Sequence, residues 1–365
     1  MIVPTYKDEF KGTWYTSFYY TNYNGERKKK MKRGFDTKKA AVEFEREFLS
    51  KQDVDLNMTF EDFVRNYYYA DMKSRVREST WMSKTYVIEK KIIPNFRNHK
   101  LNEITAASVI RWQNKLLEYR NEKGEPYSQT YLKTINNQFN CIFNYANRLY
   151  DLKNPVKRVG SMGKSFAKEM DFWTKSEYLK FSESVMDKKI SFLLFEVLYW
   201  TGMRIGEALA LTQNDFDFKN NTVRISKSYQ RLNGKDVITN PKTPESVRTI
   251  TLSNFLVEEI KDYINSNYKM QVNDRLFPVT KSYIQSEMNR GCKLANVKRI
   301  RPHDLRHSAV SLLVENGFSA LAISRRMGHT GISVTLRYAH LFQSRQIEMA
   351  NKLDEERMNY ESEES

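Results

Sequence analysis

Apolar and polar positions change rhythm along this 365-residue chain, and each change predicts a different kind of element. Gly12 to Tyr20 is dense in aromatic and β-branched residues, which predicts a strand. Tyr23-Asn24-Gly25 predicts a hairpin tip, and the run Arg27 to Gly34 predicts the returning strand. Thr37 then caps a predicted helix over Lys38–Lys51, with Ala41, Phe44 and Phe48 on one face. From about residue 55 to 160 the period is helical throughout. Thr59 and Asp62 form a capping-box-like start ahead of Phe60, Phe63, Val64 and Tyr67. A second helix is predicted over Ser83–Ile93, stopping at Pro94. The third starts near Thr105 and carries Val109, Ile110, Leu116 and Leu117. The longest runs from Ser128 to about Leu149, with Leu132, Ile135, Phe139, Ile142, Phe143 and Ala146 on its buried face, and Asn154-Pro155 ends it.

Residues 156–170 read as a Gly/Ser/Lys linker. Beyond it the pattern is mixed. Thr174 and Glu177 form a capping box, and Phe192–Trp200 reads as a buried helix before Gly202. Thr222–Ser226, Val237–Thr239 and Arg248–Leu252 read as strands, and Ser253 is placed to cap a helix. The final third is helical and ends in the acidic stretch 354–365, expected to be disordered or to dock a partner. The fold class expected is therefore multidomain and mainly α with small β elements. It comprises a β-sheet-plus-helix module at 1–52, an all-α module at 55–160 and a mixed α+β domain at 170–353, before the tail at 354–365.

Composition narrows the partner. The formal net charge is +16 and the pI about 9.5. The charge is spread: +5 over residues 1–51, +7 over 52–165 and +9 over 166–353, against −5 in the tail. A polyanion that touches all three modules explains that distribution better than solubility alone. Cys141 and Cys292 sit among helical apolar residues and read as packing thiols. No Cys/His cluster has metal-ligand spacing, and no apolar run is long enough to span a membrane. With no apolar signal core after Met1, a reducing cytoplasm is expected. Gly160-Ser-Met-Gly163-Lys164-Ser165 mimics the end of a phosphate-binding loop. However, Arg158 stands where that loop's first glycine belongs, and no strand precedes it, so no ATP dependence is expected.

Candidate chemistry concentrates late in the chain. Thr201-Gly-Met-Arg204-Ile-Gly-Glu207 is followed by Pro241-Lys242-Thr243, His303-Asp-Leu-Arg306-His307, Met327-Gly-His329 and Leu336-Arg-Tyr338-Ala-His340. Four of the five histidines fall between 303 and 340. Core or surface histidines would scatter more evenly. Arg204 and Arg306 offer permanently charged planar forks that match phosphate oxygens. Tyr338 offers a hydroxyl nucleophile, while His303, His329 and Lys242 can hold or move protons. Each motif alone is weak, since an isolated Arg is usually a solvated face residue and an isolated Tyr is usually packing.

In this order and context the set resembles the tyrosine recombinases, the lambda-integrase family. The likeness is strong over about 170–350 and looser elsewhere. It implies a DNA strand-breaking and rejoining enzyme with a 3′-phosphotyrosyl intermediate and a free 5′-hydroxyl, needing neither ATP nor metal. Tyr338 is then the nucleophile and Arg204 and Arg306 the phosphate clamp. His303 shares the phenol proton, His329 bonds the scissile phosphate, and Lys242 protonates the leaving oxygen, with Lys235 as the alternative. His307 and His340 take supporting roles. Module 1–52 resembles the arm-type DNA-binding domain, with Lys28, Lys29, Lys30, Lys32 and Arg33 as contacts. Module 55–160 resembles the core-binding domain, with Lys90, Lys91, Arg111, Lys115 and Lys133 on its outer faces. Partners implied are duplex DNA at core and arm sites, further copies forming a tetramer, an excisionase and a host DNA-bending protein. A type IB topoisomerase, or an inactive DNA-binding protein on the same fold, stands as the alternative.

Overall fold

The computed structural model describes residues 5–21, 27–55, 58–164, 171–241, 246–329, 331, 350–355 and 357–358. The expected Asn24-Gly25 turn, Lys242, Tyr338 and His340 lie outside the described residues. The chain divides into two compact units, Met1–Lys168 and Glu169–Ser365.

The first unit opens with a three-stranded antiparallel sheet of Thr5–Lys7, Trp14–Thr21 and Arg27–Phe35, in that order. The first of these strands was not anticipated. Alternation sorts the middle strand into two faces. Thr16, Phe18 and Tyr20 are buried toward the helix Lys38–Asp55, where Phe48 meets the rings of Phe18 and Tyr20. Thr37 caps that helix through the Ala40 N–H, as expected. Glu45, buried on it, accepts a 2.8 Å hydrogen bond from the Thr16 hydroxyl. The same register divides the basic run. Lys28, Lys30 and Lys32 stand opposite Tyr20, Phe18 and Thr16 on the helix side, while Lys29 stands opposite Tyr19 on the open face.

The helical module buries Phe60, Phe63, Phe139 and Phe143 completely, each contributing on the order of 1.5–3 kcal/mol. Thr59 caps the first helix and Thr105 and Ser108 form a capping box on the third. The long helix Gln129–Tyr150 buries all six residues of its expected apolar face. Pro94 does not stop the second helix, which begins at Glu78 and runs helically through Phe96. A π-helical turn at Ile88–Ile92 precedes the proline and takes up its missing N–H. Ile110 and Leu117 prove exposed, and Trp112 takes the core position between Val109 and Leu116. Cys141 lies on the exposed side of its helix, while Cys292 is buried as a packing thiol.

Of the expected linker 156–170, residues 165–170 lie outside the described residues, and the earlier part is largely structured. Pro155–Val159 is a short helix, and Met162 is 4% exposed in the module's core. Gly163 has φ +78°, and a Cβ there would collide with the backbone oxygen of Gln129. Close approach to the long helix, not phosphate, accounts for that glycine.

The second unit packs around the helix Lys189–Thr201, buried along most of its length as its apolar run predicts. Among the described residues it carries two small sheets: Phe216–Asp217, Thr222–Ile225 and Arg248–Thr251 in one, and the hairpin Ser228–Leu232 with Lys235–Thr239 in the other. Positive φ at Asn233 and Gly234 matches a two-residue turn, which places Lys235 beside a hairpin tip. Ser228–Leu232 escaped the sequence reading because it is polar and has only Tyr229 buried. Thr174 and Glu177 form the expected capping box, whereas Ser253 occupies its cap position without a side-chain bond. Helices Asn254–Ser266, Lys281–Ala295, Leu305–Glu315 and Ala320–Met327 follow. Residues 350–355 are helical, so the acidic tail begins in ordered structure.

Candidate active site

Two left-handed glycines fix the site's backbone. The buried helix ends at Gly202, with φ +65°, and a Cβ there would stand 2.6 Å from the Met327 sulfur. Gly328, with φ +63°, ends the helix Ala320–Met327. The two helix ends therefore meet closely, and four candidate side chains gather around them.

Arg204 leaves the buried helix with extended backbone and caps the short helix Ile205–Ala208. Its Nη1 donates to Glu207 Oε1 at 2.7 Å and its Nη2 to the Gly328 carbonyl at 3.2 Å. Arg204 and Glu207 thus form an ion pair one helical turn apart, with the guanidinium about one third exposed and the carboxylate buried. Arg306 is 5% exposed, and its Nη1 and Nη2 donate at 2.7 Å to the carbonyls of Gly202 and Met327. Both forks are held by backbone that belongs to the turn before His329.

Glu207 has a second cation. Its Oε2 accepts from Arg248 Nη2 at 2.9 Å and from the Arg204 backbone N–H at 3.0 Å. Burial pushes this carboxyl up, but the bonds from Arg248 and Arg204 outweigh it and hold it below the usual range. Arg248 and Arg326, which packs on the same turn, were missed as site residues. A lone Arg opening an alternating strand carries no local signal when its partner lies 41 residues earlier.

The three histidines gathered here, His303, His307 and His329, are kept neutral. His329 is pushed down to about 4, first by burial and then by Arg306, Arg204 and Arg248. His307 is also pushed down to about 4, by burial and then by His303. Partial burial and Arg306 lower His303, whose ring meets His307 edge to face at 5.8 Å. The structure therefore brings together Arg204, Arg306, His303 and His329. The result is a cationic cluster whose histidines are neutral at pH 7 and able to donate or accept hydrogen bonds.

The expected DNA-contact residues are less uniform. Lys90, Arg111 and Lys115 are exposed, and Lys133 is half-buried. Lys91 is not on a solvated face. It donates to the Tyr127 hydroxyl at 2.5 Å and lies against the stacked rings of Tyr119 and Tyr127. In the sheet module, Lys30 rides on Phe48 and Lys32 on Phe44. On the open face, Arg27 and Lys29 stand over Tyr19 and Arg33 over Tyr15.

Three family models match the sequence. The phage integrase family covers residues 171–345, the N-terminal SAM-like domain of phage integrases covers 59–117, and an arm DNA-binding domain covers 4–52. Among curated relatives, the ICEBs1 integrase of Bacillus subtilis (strain 168) is 28% identical over 341 residues, spanning 87% of this chain and 90% of that one. The integrase of Staphylococcus phage L54a is 33% identical over 177 residues, spanning 44% of this chain and 50% of its own. Among solved structures, the Tn1549 transposon integrase in complex with transposon right end DNA has a TM-score of 0.62 at 22% identity, covering 77% of this chain and 94% of its own. A lambda integrase dimer bound to a core site has a TM-score of 0.58 at 15% identity, covering 93% and 95%. These two structures share the fold.

Proposed function

Because this chain belongs to the phage integrase family and is a tyrosine-type site-specific recombinase acting on DNA, we propose that it integrates and excises a mobile element through a 3′-phosphotyrosyl intermediate. In this reading Tyr338 attacks the scissile phosphorus, its proton passes to His303, and the bond to the 5′ oxygen breaks. Lys242 supplies the proton that makes a 5′-hydroxyl. A second 5′-hydroxyl then attacks the phosphotyrosine and reseals the strand, so the bond energy is kept and no ATP is needed.

The observation that carries the reading is the double anchoring of Arg204 and Arg306 on the Gly202 and Met327–Gly328 carbonyls. Guanidinium groups fixed before substrate arrives stabilise charge that develops on the non-bridging oxygens, and such donors typically contribute ~10²–10³ each in rate. His329, neutral beside them, donates to the same phosphate. Four copies would act together on two duplexes. A lambda integrase tetramer bound to a Holliday junction is among the structures that share this fold.

The domain limits proposed are 1–52 for arm DNA, 55–160 for the core site, 170–353 for catalysis and 354–365 for the tail. The open sheet face, with Arg27, Lys29 and Arg33 over tyrosine rings, is the arm-site surface. Lys90, Arg111, Lys115 and Lys133 face the core site. An excisionase and a host bending protein would set direction, on DNA in the bacterial nucleoid. The test is a core-site duplex nicked so that the cleaved end diffuses away. The expected result is a protein–DNA adduct stable in SDS and mapped to Tyr338. Supercoil relaxation without strand exchange between sites would instead indicate a topoisomerase.

A further inference from the structure

We propose that Arg248 is a positioning residue that aligns the phosphate clamp, an inference that rests on the reaction proposed above. Its side chain is 6% exposed and bonds in three directions. Nε donates to the Arg326 carbonyl at 2.8 Å, Nη1 to the Ser246 carbonyl at 3.1 Å and Nη2 to Glu207 Oε2 at 2.9 Å.

Each acceptor leads to a different part of the site. Glu207 holds the Arg204 guanidinium through its other oxygen. Arg326 immediately precedes Met327 and Gly328, whose carbonyls receive Arg306 and Arg204. Ser246 follows Lys242 by four residues in the sequence. One planar group thus joins Glu207, which holds the clamp, to the histidine turn and to its own strand's entry at Ser246. Arg326 reinforces the link from the other side, donating to the Thr251 carbonyl at the far end of the strand that Arg248 opens. A lysine ammonium at position 248 keeps the charge but cannot meet three acceptors in one plane. A purely structural ion pair would alter melting and leave the rate per folded molecule unchanged.

The experiment uses full-length protein and the nicked core-site duplex, with three readouts: the rate of covalent adduct formation at saturating protein, the duplex Kd and the melting temperature. Arg248→Lys should slow adduct formation ~10–100-fold, the scale set by small misplacements of catalytic groups, with Kd within about twofold. Adding Arg248→Lys to Arg204→Lys should cost little more than Arg204→Lys alone, because the fork to be positioned is already gone. A near-normal rate for Arg248→Lys, or losses that multiply in full, would overturn the proposal. If Arg248→Lys fails to fold, the charge-balanced pair Glu207→Gln with Arg248→Met replaces it. Recovered melting with a slow rate supports positioning, and recovery of both refutes it. A wild-type chain that binds the duplex yet forms no adduct would bring down the proposed reaction itself, and this inference with it.

Discussion

The clamp and the open face of the N-terminal sheet use the same kind of charge in opposite ways. Around Gly202 and Gly328, guanidinium groups are buried or half-buried and tied to named carbonyls and to Glu207. On the sheet, Arg27, Lys29 and Arg33 are exposed and rest on tyrosine rings, which support the stems and leave the charged heads in water. The first arrangement fixes geometry in advance and tolerates no exchange. The second supplies field and adaptable contact, so its members act additively and are screened by salt. Charge count alone hides this difference, since both regions read simply as basic.

The contrast would break most decisively at Tyr338. Tyr338→Phe removes one oxygen and should abolish adduct formation while core-duplex binding stays near normal. A persistent adduct would move the chemistry elsewhere. Next in size are Arg204→Lys and Arg306→Lys, each expected to slow cleavage ~10²–10³-fold because an ammonium cannot replace a fixed fork. Near-normal cleavage by either would reduce the clamp to general field. The sheet should respond more gently. Replacing Arg27, Lys29 and Arg33 by Ala together should weaken arm-duplex binding while sparing cleavage of a short core duplex. The salt dependence of arm binding should flatten by about 0.9 in log–log slope for each phosphate that is no longer neutralised. The matching triple at Lys28, Lys30 and Lys32 should do less, because those cations sit on the helix side. The reverse ranking would put the DNA on the wrong face of the sheet.

The smallest effect sharpens the clamp side. His329 and His307 titrate near 4 when folded against about 6.5 when unfolded, so the unfolded chain binds more protons between those values. Their contribution to stability is complete above about pH 6.5 and is lost as pH falls toward 4. Thermal melts of the DNA-free protein should therefore drop across that window, with a shallower slope in His329→Gln. A slope unchanged by that substitution would contradict the buried-neutral assignment.

What could be read from sequence follows from how local each signal is. The long helix, its six core residues, the caps at Thr59 and Thr174 and the helix start near Thr105 rest on spacings within a few residues, and they are found as expected. Arg204, Arg306, His303 and His329 were singled out by the order of their motifs, and the structure brings them together. Arg248 was not, since its role depends on contacts 41 and 78 residues away. Pro94 misled because a π turn, which leaves no mark in composition, absorbs the missing donor. The supposed linker misled in the other direction. Its glycine is there for close packing against Gln129, and a glycine that allows motion looks the same in sequence as one that allows close approach.

Asp151 ends the long helix in a left-handed conformation, with φ +57°. The Tyr20 hydroxyl donates to its carboxylate at 2.9 Å, and Lys28 lies 3.8 Å away. A carboxylate at a helix C-terminus faces the negative end of the helix dipole, so the position is electrostatically frustrated within its own module. The sheet module relieves it, supplying a proton donor and a cation from outside. The boundary near residue 52 is therefore a border in sequence but a shared joint in energy. A chain trimmed of its first 51 residues inherits an uncompensated charge at the tip of its longest helix. Asp151→Asn, which keeps the left-handed turn and discards the charge, is the natural companion to that truncation.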